Sequence, residues 1–197
     1  MHPFIYLASQ SPRRSQLLTQ LGIAHELLLA DGEEDAESLE EHIPGESPLD
    51  YVQRVTRLKL DAAIQRLQAR GLPLAPVLCA DTTVALGDTI YAKPADAPDA
   101  VRMLSALSGQ THVVLTAVAM GTASRCEQAC SRSEVTFAAM SEAEIREYVA
   151  SGEPMGKAGA YAVQGRAAAY IAHIAGSYTG IMGLPLFETA QLFKRLT

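Results

Sequence analysis

The sequence is short of the features that would place it in several broad classes at once. No apolar stretch approaches the roughly 18 residues that a membrane-spanning helix needs, so no membrane partner is expected. Basic residues are not in excess. With a formal net charge of −6, a nucleic-acid polymer is disfavoured, and any useful cation must act locally. Cysteine is scarce: Cys79, Cys126 and Cys130 are an odd number, no export signal precedes them, and reduced thiols in a cytoplasmic protein are expected. The Cys126–Cys130 spacing lacks partner ligands for zinc. Also missing are the P-loop pattern G-x-x-x-x-G-K followed by Ser or Thr, a G-x-G-x-x-G after a strand, and a G-x-S-x-G elbow. If phosphates bind here, they do so through Arg and Lys side chains and a helix N-terminus. Internal repeats and low-complexity linkers are absent too. The 197 residues, 48% hydrophobic and 19% charged, are enough for one sizeable core; on length one or two domains are possible, and 1–197 is taken as one.

What is present begins at Phe4. Phe4 to Ala8 is a short apolar run that reads as a buried strand. Ser11 followed by Pro12 has the form of an N-cap with proline at the first helical position. Leu17, Leu18 and Leu21 then share a helical face, and Gly22 closes the helix. Arg13 and Arg14 fall in its first turn, where the dipole and unpaired N–H groups are already positive. Two cations there ask for an anion. With the Ser9 and Ser11 hydroxyls they could cradle a phosphate, or they could point to solvent or to nearby carboxylates.

Further along, 24–30 reads as a second strand, ending in the acidic run Asp31 to Glu37. That run is either a solvated loop or a carboxylate cluster able to hold a divalent cation. Ser47-Pro48 opens a helix to about Arg70, with Lys59 in or beside its apolar stripe, either snorkelling or aimed into a cleft. Residues 75–86 read as a central strand interrupted by Asp81. An unpaired buried carboxylate is costly, so Asp81 must be paired, hold a metal or face a polar cleft. Gly87-Asp88 forms a hairpin-like turn returning to Lys93-Pro94. A helix over 99–107, strands over 112–121 and 133–139, and a capping-box helix from Ser141 follow. Then come a glycine-rich passage, 156–165, a strand over 170–174, a loop over 176–180, and a last helix after Pro185. Gly159 and Gly165 permit either a close backbone approach or tight turns. His112 is read as structural.

With those residues in view the chain resembles the Maf family of nucleoside triphosphate pyrophosphatases. The likeness rests on Leu7-Ala8-Ser9-Gln10-Ser11-Pro12-Arg13-Arg14, Ala80-Asp81-Thr82, Lys93-Pro94, Leu107-Ser108-Gly109-Gln110-Thr111-His112 and Glu153-Pro154. Lys157-Ala158-Gly159-Ala160-Tyr161, Gln164-Gly165, Gly176-Ser177-Tyr178 and Gly183-Leu184-Pro185 complete it. Gly156 departs from the aspartate usual before the lysine, and Ala162-Val163 from a common Gly-Ile. The resemblance implies an α/β fold with a mixed twisted sheet flanked by helices, two lobes around a cleft, and a homodimer. It implies hydrolysis of a nucleoside triphosphate to the monophosphate and pyrophosphate. Arg13 after Pro12, Thr82 after Asp81 and Gln164 before Gly165 resemble the dTTP/UTP subgroup rather than the 7-methyl-GTP subgroup.

On that resemblance Asp81 is the general base, while Ser9, Arg13, Lys59 and Lys93 bind phosphate. Arg13, Thr82 and Gln164 choose the base. A divalent cation, Mg²⁺ or Mn²⁺, is held by Glu33 with Asp81, Glu34 being the alternative to Glu33. A non-enzymatic regulator of cell division and a house-cleaning pyrophosphatase for inosine-like purine nucleotides remain as rival readings.

Overall fold

The computed structural model describes residues 4–31 and 38–196. The acids Glu33 and Glu34 lie outside the described residues. The chain opens as the sequence suggests, with β1 (Phe4–Leu7), α1 (Pro12–Gln20) and β2 (Ala24–Leu27), and the two strands pair in parallel. Gly22, at φ +70°, supplies the left-handed turn that ends α1. Next come α2 (Pro48–Ala69), β3 (Val77–Leu86), β4 (Thr89–Tyr91) and α3 (Ala97–Leu107). The second half holds β5 (Thr111–Gly121), β6 (Cys126–Phe137), α4 (Glu142–Ala150), β7 (Ile171–Ala175), α5 (Tyr178–Met182) and α6 (Leu186–Leu196).

Local signals explain most of these boundaries. The Ser47 hydroxyl accepts from the Asp50 amide at the start of α2. Asp96 does the same for Asp99, so α3 starts at Ala97, ahead of the expected 99. The capping box of α4 is complete, with the Glu144 carboxylate accepting from the Ser141 amide at 2.7 Å. Two expectations need correction. Strand β6 begins at Cys126 rather than 133, because its polar first half is held by pairing with β5 along Thr111–Gly121 and needs no apolar alternation. Tyr178–Met182 is a short helix, not loop, since the Ser177 hydroxyl caps it by accepting from the Gly180 amide.

The sheet has seven strands in the order β2-β1-β3-β5-β6-β7, with β4 also on β3. The β1 pairings are parallel and the rest antiparallel, which is the mixed sheet flanked by helices that was expected. Its centre is unusual in one respect. Strand β5 covers one edge of β3 continuously from Val77 to Ala85. The other edge is shared: β1 takes Val77 and Leu78, and β4 takes Val84 to Leu86. Between them, over 79–83, no described strand pairs with that edge. The sheet forks there, and Asp81 sits in the fork.

Alternation along β3 then sorts side chains to opposite faces. Val77 and Cys79 pack under α2 with Leu60, Ala63 and Leu67. Leu78 and Ala80 pack on the other face with Leu17 and Leu18 of α1 and Leu192 of α6. Beyond the fork, Val84 joins a separate cluster with Leu104 of α3, Tyr148 of α4, Phe137 and Tyr161. Each fully buried leucine contributes about 1.5–3 kcal/mol relative to exposure. The clusters thus form two lobes, with the forked part of β3 between them.

Candidate active site

Following the same alternation, Asp81 faces α2 and Thr82 the opposite side. Helix α2 brings Lys59 to Asp81: Nζ donates to Asp81 Oδ1 at 2.6 Å and to Glu40 Oε1 at 2.7 Å. Lys59 is therefore a cation aimed into the cleft and not a snorkelling one. Burial pushes its ammonium down, but Asp81 and Glu40 outweigh that and hold its pKa above the ordinary value. Lys93, just past β4, lies 3.6 Å from Glu40 Oε2. Thr82 Oγ1 is 3.0 Å from Thr116 Oγ1, whose hydroxyl donates to the Gly180 carbonyl.

Among the described residues the two arginines of α1 meet backbone carbonyls and a hydroxyl rather than a carboxylate. Arg14 Nε donates to the Gly183 carbonyl at 2.8 Å, and its Nη1 to Ser9 Oγ. Arg13 Nε donates to the Met182 carbonyl. The carbonyls at the C-terminal end of α5 thus offset the cations that α1's own dipole opposes. Burial pushes the Arg14 guanidinium down, with Asp81 pulling it back up. The Ser11 hydroxyl caps nothing in α1, while the Ser11 amide donates to Ser9 Oγ.

These groups share one cavity of about 1040 Å³, lined by Ser9, Arg13, Lys59, Asp81, Thr82 and Lys93 among others. That is the size of a pocket for a nucleotide-sized ligand. Gln164 is exposed and is not among its lining residues. Glu33 lies outside the described residues. Three charged lining residues were not singled out from sequence: Glu40, Arg66 and Lys157. Glu40 stands with Glu41 just past the acidic run, and nothing in the sequence ranks it above its neighbours. Lys157 was noted within a motif but given no role; its ammonium donates to the Glu153 and Met155 carbonyls and makes no ion pair among the described residues.

For the divalent cation, the described residues contain no group of three or more acidic, histidine or cysteine side chains that could hold a metal. Mg²⁺ and Mn²⁺ do not require one. They take hard oxygen donors, and Mg²⁺ commonly uses one or two carboxylates and completes its shell with water and substrate phosphates. Asp81, a carboxylate opening on a cavity rich in phosphate-seeking cations, fits that pattern.

A forked mixed sheet whose fork presents Asp81 to Lys59, on a cavity also lined by Arg13 and Lys93, defines an α/β protein with a charged cleft between two lobes. Sequence comparison narrows the class. The Maf family model, described as Maf-like protein, matches residues 4–196. A dTTP/UTP pyrophosphatase of Albidiferax ferrireducens is 69% identical over 98% of this chain and 97% of its own length. Those of Cupriavidus pinatubonensis and Ralstonia nicotianae are each 62% identical, over 99% and 98% of this chain and 98% and 94% of their own. The chain belongs to the Maf family. A solved dITP/XTP pyrophosphatase of Mycobacterium abscessus overlaps at TM-score 0.39 and 16% identity, over 68% of this chain and 73% of that one, too loosely to bear on function.

Proposed function

We propose that the chain is a nucleoside triphosphate pyrophosphatase acting on dTTP and UTP. The observation that carries the reading is the Lys59–Asp81 pair at 2.6 Å, in a cavity also lined by Arg13 and Lys93. Water attacks the α-phosphorus in line, forming a new P–O bond. The bond from that phosphorus to the bridging α,β-oxygen breaks, and pyrophosphate leaves. Asp81 orients the water and accepts its proton, which passes on to solvent. Arg13, Lys59 and Lys93 neutralise the phosphates and the charge that grows on the leaving group, in a site where fixed charges need little reorganisation. Asp81, with Glu33 as the partner expected from sequence, would hold a Mg²⁺ or Mn²⁺ ion. When bound, such an ion supplies charge neutralisation at phosphate oxygens.

The strong sequence likeness to relatives named dTTP/UTP pyrophosphatase supports the choice of pyrimidine triphosphates. A homodimer is proposed on the family resemblance alone. A cytoplasmic location is proposed from its free cysteines. No helix among the described residues is long and apolar enough to cross a membrane. The test is direct. The purified chain is incubated with a panel of canonical and modified triphosphates, with and without Mg²⁺ or Mn²⁺, and pyrophosphate is assayed. Release from dTTP and UTP is expected. Release from none of the panel, with metal present, favours the binding-protein reading, and release mainly from inosine nucleotides favours the purine one.

A further inference from the structure

The lysines assigned to phosphate already hold an anion. Glu40 Oε1 accepts from Lys59 at 2.7 Å, and Glu40 Oε2 stands 3.6 Å from Lys93. One carboxylate thus spans two cations of the cavity, one oxygen to each. Burial pushes Glu40 up, but Lys59 and then Lys93 outweigh it, so its carboxyl titrates below the ordinary range and is an anion at neutral pH.

Glu40 is brought there by a strap on α2 that does not depend on its side chain. Tyr51 Oη donates to the Glu40 carbonyl at 3.0 Å, and Arg54 Nη2 to the Glu41 carbonyl at 2.8 Å. Arg54 also forms a two-pronged bond to Glu46, at 2.6 and 2.7 Å. His42 stacks on Tyr51 with ring centroids 4.4 Å apart. The backbone at Glu40 is therefore held over the cavity whatever its carboxylate does.

The rest of the cavity is charged differently. Arg13 and Lys157 line it without an ion pair among the described residues. Burial first, and then Arg13, hold the Lys157 ammonium below its ordinary value. Among the described residues, one part of the cavity is balanced by Asp81 and Glu40, while the part at Arg13 and Lys157 carries no such anion.

We propose that Glu40 is an internal stand-in for a substrate phosphate. Its carboxylate holds Lys59 and Lys93 in the free chain, and a phosphate group of the incoming triphosphate displaces it. The idea rests on the proposed function for the identity of the incoming group. A polyphosphate carries several charges and many acceptor oxygens against the single charge of a carboxylate. It can be attracted first by Arg13 and Lys157 and then take the lysines from Glu40. A lone monoanion lacks that advantage. Glu40 thereby balances Lys93 and gives Lys59 a second carboxylate beside Asp81 in the empty site, and it weakens binding of anything less charged than a polyphosphate.

The probe is inorganic pyrophosphate in buffer containing a chelator, with binding followed by calorimetry. Replacing Glu40 by Gln (E40Q) removes the competing charge and leaves the strap intact. The dissociation constant for pyrophosphate is expected to fall roughly three- to tenfold, the scale of one partly exposed ion pair lost from the free state. E41Q makes the same change in net charge at the exposed neighbouring residue and is expected to bind as wild type. Unchanged or weaker binding in E40Q overturns the proposal, as does equal tightening in E41Q. So does a rise in the Mg²⁺ concentration needed for half-maximal pyrophosphate release from dTTP in E40Q, which would make Glu40 a metal ligand. Because binding is read without turnover, tighter pyrophosphate binding by a chain that hydrolyses no triphosphate sinks the proposed function and leaves this inference standing. Hydrolysis of dTTP without the change in E40Q does the reverse.

Discussion

Lys59 Nζ lies 2.6 Å from Asp81 Oδ1, so the free chain holds its candidate base as half of an ion pair. Both side chains are largely shielded, at 22% and 14% exposure, and removing Lys59 leaves Asp81 a shielded carboxylate without this cation, whereas removing Asp81 leaves Lys59 with Glu40. A substrate phosphate that draws Lys59 towards itself frees the carboxylate at the moment it is needed. Asp81→Asn keeps the shape but cannot accept the proton. Turnover of dTTP is expected to fall at least about a hundredfold, measured by pyrophosphate release under saturating substrate. Near-normal turnover removes Asp81 from the mechanism.

Much of this site was legible in the sequence because its residues break local rules. A carboxylate in an apolar strand, a lysine in an apolar stripe and arginines at a helix N-terminus each carry a cost that needs an explanation. Asp81, Lys59 and Arg13 do converge on one cavity. What was not legible depends on contacts distant in sequence. The carbonyls of Met182 and Gly183 that meet Arg13 and Arg14 lie 169 residues away. Glu40 stands with Glu41 just past a run of acids, and what sets it apart is the tie from Tyr51 to its carbonyl and the contacts of its carboxylate with Lys59 and Lys93. The fork in β3 arises from where β1 and β4 stop pairing, and strand periodicity carries no trace of that. Gln164, placed at the base by resemblance, is exposed and away from the cavity walls.

His112 should make stability depend on pH. It is buried in β5, with Nε2 2.8 Å from Tyr161 Oη and no partner at Nδ1 among the described residues. Burial pushes it down to about 4, against 6.5 for the free side chain. As pH falls below about 6.5 the unfolded chain takes up this proton and the folded chain does not. The stability is fully present above that pH, drains as pH falls towards 4, and levels off below. The separation corresponds to about 3 kcal/mol over the whole window. Urea unfolding at pH 7.5 and 4.5 measures it. His112→Phe is expected to lose about 2–3 kcal/mol less between those two conditions than wild type does. Equal losses assign the pH dependence to other groups.

Gly159 answers a question that its sequence left open. It needs both the turn and the close approach: φ is +69°, and an added Cβ would lie 2.9 Å from Val84 Cγ1. Val84 is buried, and the Gly159 amide is tied to the Ala92 carbonyl, so neither partner can retreat freely. Gly159→Ala is expected to cost about 2–4 kcal/mol, combining backbone strain with overpacking. Gly152, at φ +74° with nothing within 4 Å of an added Cβ, is the control. Its alanine variant bears the strain alone and should lose about 1 kcal/mol. Equal losses of thermal stability in the two variants would show that Val84 yields and that contact with β3 does not fix this turn.

Base selection separates the residues that line the cavity from the one that does not. Uracil and thymine present two carbonyl acceptors flanking one N–H donor. A side-chain amide such as Gln164 offers both a donor and an acceptor to match. Thr82 and Arg13 are at the cavity already, Thr82 with its hydroxyl shared with Thr116. Gln164 is the exposed position of the turn after the Lys157–Tyr161 segment, between buried Val163 and Gly165. There the Glu153 carboxylate accepts from the Arg166 amide at 3.1 Å and fixes the turn. Gln164 is exposed in the free chain, so its amide discriminates only where a bound base covers it, and a covered hydrogen-bonding group that the wrong base leaves unpaired costs about 1–3 kcal/mol. Gln164→Glu, which replaces the donor by a second acceptor, should lower kcat/KM for dTTP by roughly ten- to a hundredfold. Replacing Arg13, Thr82 and Gln164 together by Trp, Gln and Glu, which the family resemblance places at those positions in the 7-methyl-GTP subgroup, should erode the preference for dTTP over 7-methyl-GTP. A loss below threefold in the single variant, with a changed preference in the triple, moves base reading to Arg13 and Thr82. An unchanged preference in the triple variant places selection in other residues altogether.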